Sequence, residues 1–225
     1  MRRSHNSGLN FLVSVWAENR TRATAVPPPG TLKRPRRPPW AAAVAQFAAL
    51  TLLAAFAVSS NAAPYEIEVS KGNRLLVVRA GDEVLKVFRV ALGRGGRGAK
   101  QQLGDKKTPV GTYRVTSFND RSKFDFFVGL NYPNVKDAFF GLHNEVISRD
   151  EFDRIIRALR AGRLPPQNTA LGGAIGIHGI GEETPEKIHI HDQLDWTEGC
   201  IALRNKEIHE LRAFLGIGTR VVIKE

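Results

Sequence analysis

From Tyr65 onward apolar and polar residues alternate with a period of two, and that rhythm restricts the chain to strands with one face in a core. "YEIEVSK" is followed by "RLLVVRAGDEVLKVFRVALG", with a turn at Ala80-Gly81-Asp82, so three short strands and a hairpin are expected. "PVGTYRVTSF" (109–118) reads as a fourth strand and "TRVVIKE" (219–225) as another. Two helices interrupt the pattern. In "SRDEFDRIIRALRAG", Ser148 and Glu151 have the spacing of a capping box, Phe152, Ile155, Ile156 and Leu159 share a face, and Gly162 is the stop. In "NKEIHELRAFLG" (205–216) Asn205 is the expected N-cap and Ile208, Leu211 and Leu215 form the apolar stripe. Short strands punctuated by glycine and proline predict one β-rich domain with a few helices, with no internal repeat and no second domain.

The preceding segment has another character. A basic cluster, "KRPRRPP" (33–39), leads into the uncharged run "WAAAVAQFAALTLLAAFAV" (40–58) and then "SSNAA", where Ser60-Asn61-Ala62 offers a small-x-small cleavage site. This order of basic, apolar and small residues is that of a secretory signal peptide, and 40–58 is also long enough for an uncleaved inner-membrane anchor. The polar, proline-rich residues before it read as disordered. Charge follows the same division. Residues 1–63 carry eight Lys/Arg and one acidic residue, residues 64–225 carry 25 and 21, so most of the +11 net charge lies outside the domain. A nucleic-acid partner is therefore not expected, and the mild basic excess of the domain suits an anionic, carboxylate-rich polymer.

Export gives meaning to the single cysteine, Cys200, in "DWTEGCIALRN" (195–205). A thiol without a partner in an oxidising compartment is either a small buried apolar residue or a reactive group. His178, 22 residues upstream in the glycine-rich run "GGAIGIHGIG", ends an expected strand where the backbone turns. A histidine that takes the thiol proton, and the N–H groups of Glu198, Gly199 and Cys200 facing a developing oxyanion, are the minimum for nucleophilic acyl transfer.

Two other patterns are weaker. Gly93-x-Gly95-x-x-Gly98 matches a dinucleotide fingerprint, but Gly104 and Pro109 break any helix after it, so a surface loop is expected. "IHIHD" would set His189 and His191 on one face of a strand, yet no further ligand pair completes a zinc site, and no metal or other cofactor is expected.

Three separated motifs, Thr108-Pro109-x-Gly111-x-Tyr113, Ile177-His178-Gly179 and Thr197-x-Gly199-Cys200-Ile201, together resemble the YkuD-like L,D-transpeptidase catalytic domain, and "NYPNVKDA" with "DWTEGCIALRN" is most similar to its YafK-like branch. The resemblance covers roughly Tyr65 to the C-terminus. It implies a β-sandwich with a few short helices, in the periplasm or cell envelope, acting on peptidoglycan stem peptides. Cys200 would attack the carbonyl of the third residue, a diamino acid, expel D-Ala, and pass the acyl group to an amine; water instead gives hydrolysis, as in release of a wall-linked lipoprotein. His178 would be the base, Gly179 would orient it through its carbonyl, and Glu198 and Gly199 would contribute to the oxyanion hole. Thr108, Pro109, Gly111, Tyr113, Thr197, Trp196 and Arg204 would line the substrate. Two positions depart from the commonest pattern: Glu198 stands where most members have histidine, and Ala202 where many have arginine. An inactive wall-binding module is the reading from outside enzymology.

Overall fold

The computed structural model describes residues 65–225. The expected signal or anchor segment and its cleavage site lie outside the described residues. In chain order the elements are β1 (Glu66–Ser70), β2 (Leu75–Ala80), β3 (Glu83–Arg89), β4 (Gly111–Ser122), β5 (Asp125–Leu130), α1 (Val135–His143), α2 (Arg149–Arg160), β6 (Gly176–His178), α3 (Pro185–Gln193), β7 (Ile201–Ala202), α4 (Asn205–Arg212) and β8 (Arg220–Lys224).

The strands neighbour one another in the order β3-β2-β1-β8-β4-β5-β6-β7. β4 belongs to two layers. Its first residues, Gly111 to Arg114, pair with β8, and after an irregularity beyond Val115 the rest pairs with β5. The far edges then meet, because Ala91, two residues past β3, exchanges two backbone hydrogen bonds with Ala202 of β7 at 3.0 and 2.8 Å. A sandwich results, and its interior collects the alternate residues that the period-two pattern marked: Ile67 and Val69, Leu76 and Val78, Val221 and Ile223. Each such side chain removed from water is worth about 1.5–3 kcal/mol. Tyr113, Phe126, Val128, Ile177, Ile201 and Leu203 complete the core around the strand ends, and α4 closes it with Ile208 and Leu211.

Between β5 and β6 the chain makes a helical excursion with a small core of its own, Ala138, Ile147, Ile155 and Leu171, against which Phe152, Ile156 and Leu159 pack. α2 starts as expected, with Ser148 and Glu151 capping each other. α1 was not expected; its start is a second capping box, in which Asn134 and Asp137 exchange side-chain and backbone hydrogen bonds of 2.9 Å each. The "IHIHD" strand is replaced by α3, which begins with Thr184 as N-cap and Pro185 in its first turn. On a helix His189 and His191 diverge, and only His191 is buried. The cap of α4 also shifts by one residue: Arg204 occupies it, and Asn205 is the first helical residue. Asn205 instead clasps the chain after His178, its Oδ1 accepting from the N–H of Ile180 (2.9 Å) and Gly181 (3.2 Å) while its Nδ2 donates to the Gly181 carbonyl (2.6 Å).

Candidate active site

His178 is the last residue of β6, and Cys200 stands one residue ahead of β7. The two strands are parallel, with Ile177 opposite Ile201 and His178 opposite Ala202. Strand alternation puts Cys200, two residues before Ala202, on the same side of the sheet as His178. Sheet register therefore brings onto neighbouring strands two residues that lie 22 positions apart in the chain.

The imidazole is 1% exposed. Phe124 stacks on it with ring centroids 4.2 Å apart, and Trp196 meets it edge-on at 5.9 Å. Its Nδ1 lies 2.6 Å from the Gly179 carbonyl. A carbonyl only accepts, so Nδ1 carries the hydrogen and Nε2 keeps a free lone pair. Burial lowers the His178 pKa from 6.5 to about 4, the Gly179 carbonyl opposing the shift and His191 adding to it. At neutral pH the ring is thus an uncharged, oriented base.

The thiol is reachable from solvent on one side and packed with protein on the others, its Sγ 3.5 Å from the Ala174 carbonyl. That packing pushes its pKa up to about 11, against which the Gly176 N–H and the charge of Lys100 act. At neutral pH the thiol and the imidazole are therefore both uncharged.

Local chemistry fixes the turn at Cys200. Gly199 has φ +132°, and a Cβ there would fall 2.9 Å from the Lys107 carbonyl, so the position demands glycine. The Thr197 hydroxyl donates to the Cys200 carbonyl at 2.7 Å and accepts from the Gly199 N–H at 3.1 Å. Thr108, 1% exposed, holds the same carbonyl more distantly at 3.5 Å and accepts from the Gly93 N–H at 2.8 Å. The glycine stretch is a loop, as expected, and it flanks the cysteine segment through the Gly93 and Thr197 bridge.

Other expected site residues are placed differently. The Gly199 amide is engaged by Thr197, whereas those of Glu198 and Cys200 donate no hydrogen bond among the described residues. Pro109 is buried, and Gly111 packs against Asn134 and the Tyr113 hydroxyl. Tyr113 itself is fully buried and donates to Asp137 at 2.8 Å, so this motif supports the start of α1. Arg204 pairs with Asp192 in a separate cavity of about 480 Å³ that Arg74, Arg89 and His191 also line, and neither Cys200 nor His178 borders it. Phe124 was not anticipated. It precedes β5, and only the pairing of β5 with β6 carries it to His178.

Glu198 turns its carboxylate away from the thiol. It is 64% exposed, pairs with Arg94 of the glycine loop, and lies 3.9 Å from the Lys106 Nζ. Exposed pairs of this kind contribute little. Glu198→Gln should change the rate of Cys200 alkylation by iodoacetamide less than about threefold. A tenfold rise would mean that the carboxylate does act on the sulfur.

A family model described as the YkuD L,D-transpeptidase catalytic domain matches residues 64–223. No curated protein matches the chain. Among solved structures it is similar to the helical cell shape determining protein Pgp2 from Campylobacter jejuni, at 21% identity and TM-score 0.48, over 73% of this chain and 49% of that one. It is also similar to Bd1075 of Bdellovibrio bacteriovorus, at 22% identity and TM-score 0.46, over 74% and 50%. An L,D-transpeptidase from Mycobacterium smegmatis follows at 10% identity and TM-score 0.42, over 72% and 59%. The chain thus spans about half the length of Pgp2 and Bd1075.

Proposed function

The chain belongs to the L,D-transpeptidase catalytic-domain family, and from that membership we propose that it is an exported cysteine acyltransferase acting on peptidoglycan stem peptides. The observation that carries the proposal is the placement, on neighbouring parallel strands, of a partly exposed cysteine and a buried neutral imidazole whose Nε2 is free to take a proton. The order of basic, apolar and small residues over 33–62 supports export.

In the first half-reaction Sγ of Cys200 attacks the carbonyl carbon of the diamino acid while Nε2 of His178 takes the thiol proton. A C–S bond forms, and the carbonyl π pair moves to oxygen, where the amides of Glu198 and Cys200 receive the negative charge. Collapse of the tetrahedral species breaks the C–N bond to D-Ala, and His178 returns the proton to the leaving nitrogen. An amine then attacks the thioester and gives its proton to Nε2, which passes it to Sγ as the C–S bond breaks and the thiol is restored; water in place of the amine gives hydrolysis. Because His178 is held by the Gly179 carbonyl, while the Gly179 N–H donates to the Phe126 carbonyl and Asn205 clasps the next two residues, Ile180 and Gly181, the base keeps one orientation through both halves.

Intact-mass measurement after exposure to a carbapenem tests the thiol. A single adduct is expected on the wild type and none on Cys200→Ala; no adduct at all, or one that survives the substitution, overturns the proposal. Muropeptide analysis of cells expressing either form then identifies the acceptor. New 3→3 dimers that depend on Cys200 are expected, whereas Cys200-dependent loss of D-Ala or of wall-bound lipoprotein without dimers would replace transfer by hydrolysis.

A further inference from the structure

The cavity of about 480 Å³ that holds Arg204 keeps hydrogen-bond donors in reserve. Its carboxylates and one of its arginines are committed. Arg74 donates to the carbonyls of His191, Gln193 and Leu194 at 3.3, 3.2 and 3.0 Å, closing the C-terminal turn of α3, and its Nε lies 3.1 Å from Asp195. Asp192 accepts from Nε and Nη2 of Arg204 at 3.3 and 2.5 Å, and Glu207 accepts from the Arg204 N–H at 3.1 Å. Burial holds the Glu207 carboxyl above the ordinary carboxylate range. Three donors remain. Nη1 of Arg204 makes no hydrogen bond among the described residues. Arg89 ends β3 opposite Leu75, and so lies beside Arg74; it is exposed and makes no ion pair among the described residues. His191 supplies the third. It is 4% exposed, and its Nδ1 lies 3.4 Å from the Trp196 Nε1. An indole N–H only donates, so Nδ1 accepts and Nε2 carries the hydrogen, with no partner for it among the described residues. A donor on so buried a side chain is unfavourable while it stays unmet, and an acceptor in the cavity removes that penalty.

Two guanidinium groups with free N–H and an imidazole N–H, around a space larger than a bare ion needs, fit an oxyanion at the end of a small molecule. We infer that this cavity binds a carboxylate or phosphate group, held by Arg89, Nη1 of Arg204 and Nε2–H of His191, with Val90 as an apolar contact for the remainder of the ligand. A cation finds less here, since both carboxylates already hold Arg204. The inference goes beyond the transfer chemistry proposed for Cys200 and does not depend on it, because neither Cys200 nor His178 borders the cavity. Trp196 nevertheless joins the two places: its indole donates to His191, and its ring meets His178 edge-on at 5.9 Å.

The test follows the indole N–H resonance of Trp196 in the full chain, assigned by its loss in Trp196→Phe, during titration with succinate, inorganic phosphate or uncharged succinamide at constant ionic strength. An anion that accepts from Nε2–H makes Nδ1 a better acceptor, so the resonance should move downfield and saturate. Saturation by succinate and phosphate alike supports an oxyanion site open to both; saturation by one alone supports the site and assigns its ligand to carboxylates or to phosphates. Arg89→Ala, which removes an exposed side chain and leaves the backbone pairing of β3 in place, should raise the midpoint roughly tenfold or more. Arg89→Lys, which keeps the charge but not the planar fork, should raise it less. No saturable shift at tens of millimolar, an equal shift with succinamide, or an unchanged midpoint in Arg89→Ala overturns the site. Cys200→Ala should titrate as the wild type does, so a chain that binds the anion but forms no carbapenem adduct loses only the transpeptidase reading, and one that forms the adduct without binding the anion loses only this site.

Discussion

His178→Asn should slow carbapenem acylation of Cys200 by roughly 10²- to 10⁴-fold, the usual contribution of a positioned general base, with the near-ultraviolet circular dichroism of the wild type retained. The pH dependence separates loss of a base from a general disturbance of the site. In the wild type the rate should rise as pH climbs through about 4, where the imidazole loses its proton, and then stay level until the thiol itself ionises near 11. Without the base the rate follows the thiolate alone and should keep climbing, tenfold per unit, through the whole neutral and alkaline range. A variant with the wild-type plateau would remove His178 from proton transfer.

The same substitution has a stability signature. An imidazole that titrates at 6.5 when unfolded and about 4 when folded stabilises the protein fully above 6.5 and progressively less as pH falls to 4, a loss of about 3 kcal/mol. Asp137, raised from 3.8 to about 6, acts with the opposite sign, because the folded state binds the proton first; it adds about 3 kcal/mol as pH falls across nearly the same interval. The two nearly cancel in the wild type. His178→Asn leaves Asp137 unopposed, so denaturant midpoints at pH 7 and pH 4 should show the variant gaining stability toward acid relative to the wild type.

Gly93→Ala should damage fold and site together. A Cβ at Gly93 would lie 2.2 Å from the Lys106 carbonyl oxygen, 2.9 Å from the Thr108 nitrogen and 3.0 Å from the Gly199 Cα, all backbone atoms that cannot step aside. Overpacking of this kind costs about 1–3 kcal/mol. The displaced pieces are the ones that hold the Cys200 carbonyl, and an error of about 1 Å in a reacting group costs on the order of 10²-fold in rate. Gly81→Ala is the control. Gly81 has φ +59° in the β2–β3 turn with nothing within 4 Å, so strain of about 1–2 kcal/mol without a change in acylation is expected there. Equal effects of the two substitutions on urea midpoints and acylation rates would contradict the close approach at Gly93.

Legibility in the sequence followed the physics of each element. β1, β2 and β8 were plain because one face of each is solvent and the other core, which writes the alternation directly into the residues. α2 announced itself by its capping box and apolar stripe. α1 and α3 did not: each exposes large apolar residues, Val135 and Phe139 in one and Ile190 in the other, so neither carries a clean stripe. Their caps were nevertheless readable, Asn134 with Asp137 before one and Thr184-Pro185 before the other. Cys200 and His178 stood out as an unpaired thiol and a glycine-flanked imidazole. The direction of Glu198, the hold of Thr108 and Thr197 on the cysteine carbonyl, and the stacking of Phe124 depend on loops meeting across the sheet, and residue identity alone does not encode such meetings.

One consequence of the strand order concerns the history of the chain rather than its chemistry. β8, the last strand in chain order, lies between β1 and β4, and the pair formed by Glu66 and Arg220 closes over a sequence separation of 154 residues. Pairing at such range is slow, because the entropy of closing the loop is lost before any contact rewards it. Until synthesis has passed Lys224, β1 and β4 each carry an unpaired edge of free N–H and C=O groups, open to the edges of other chains. The last strand therefore acts as a seam, and the nascent chain stays adhesive until that seam is sewn.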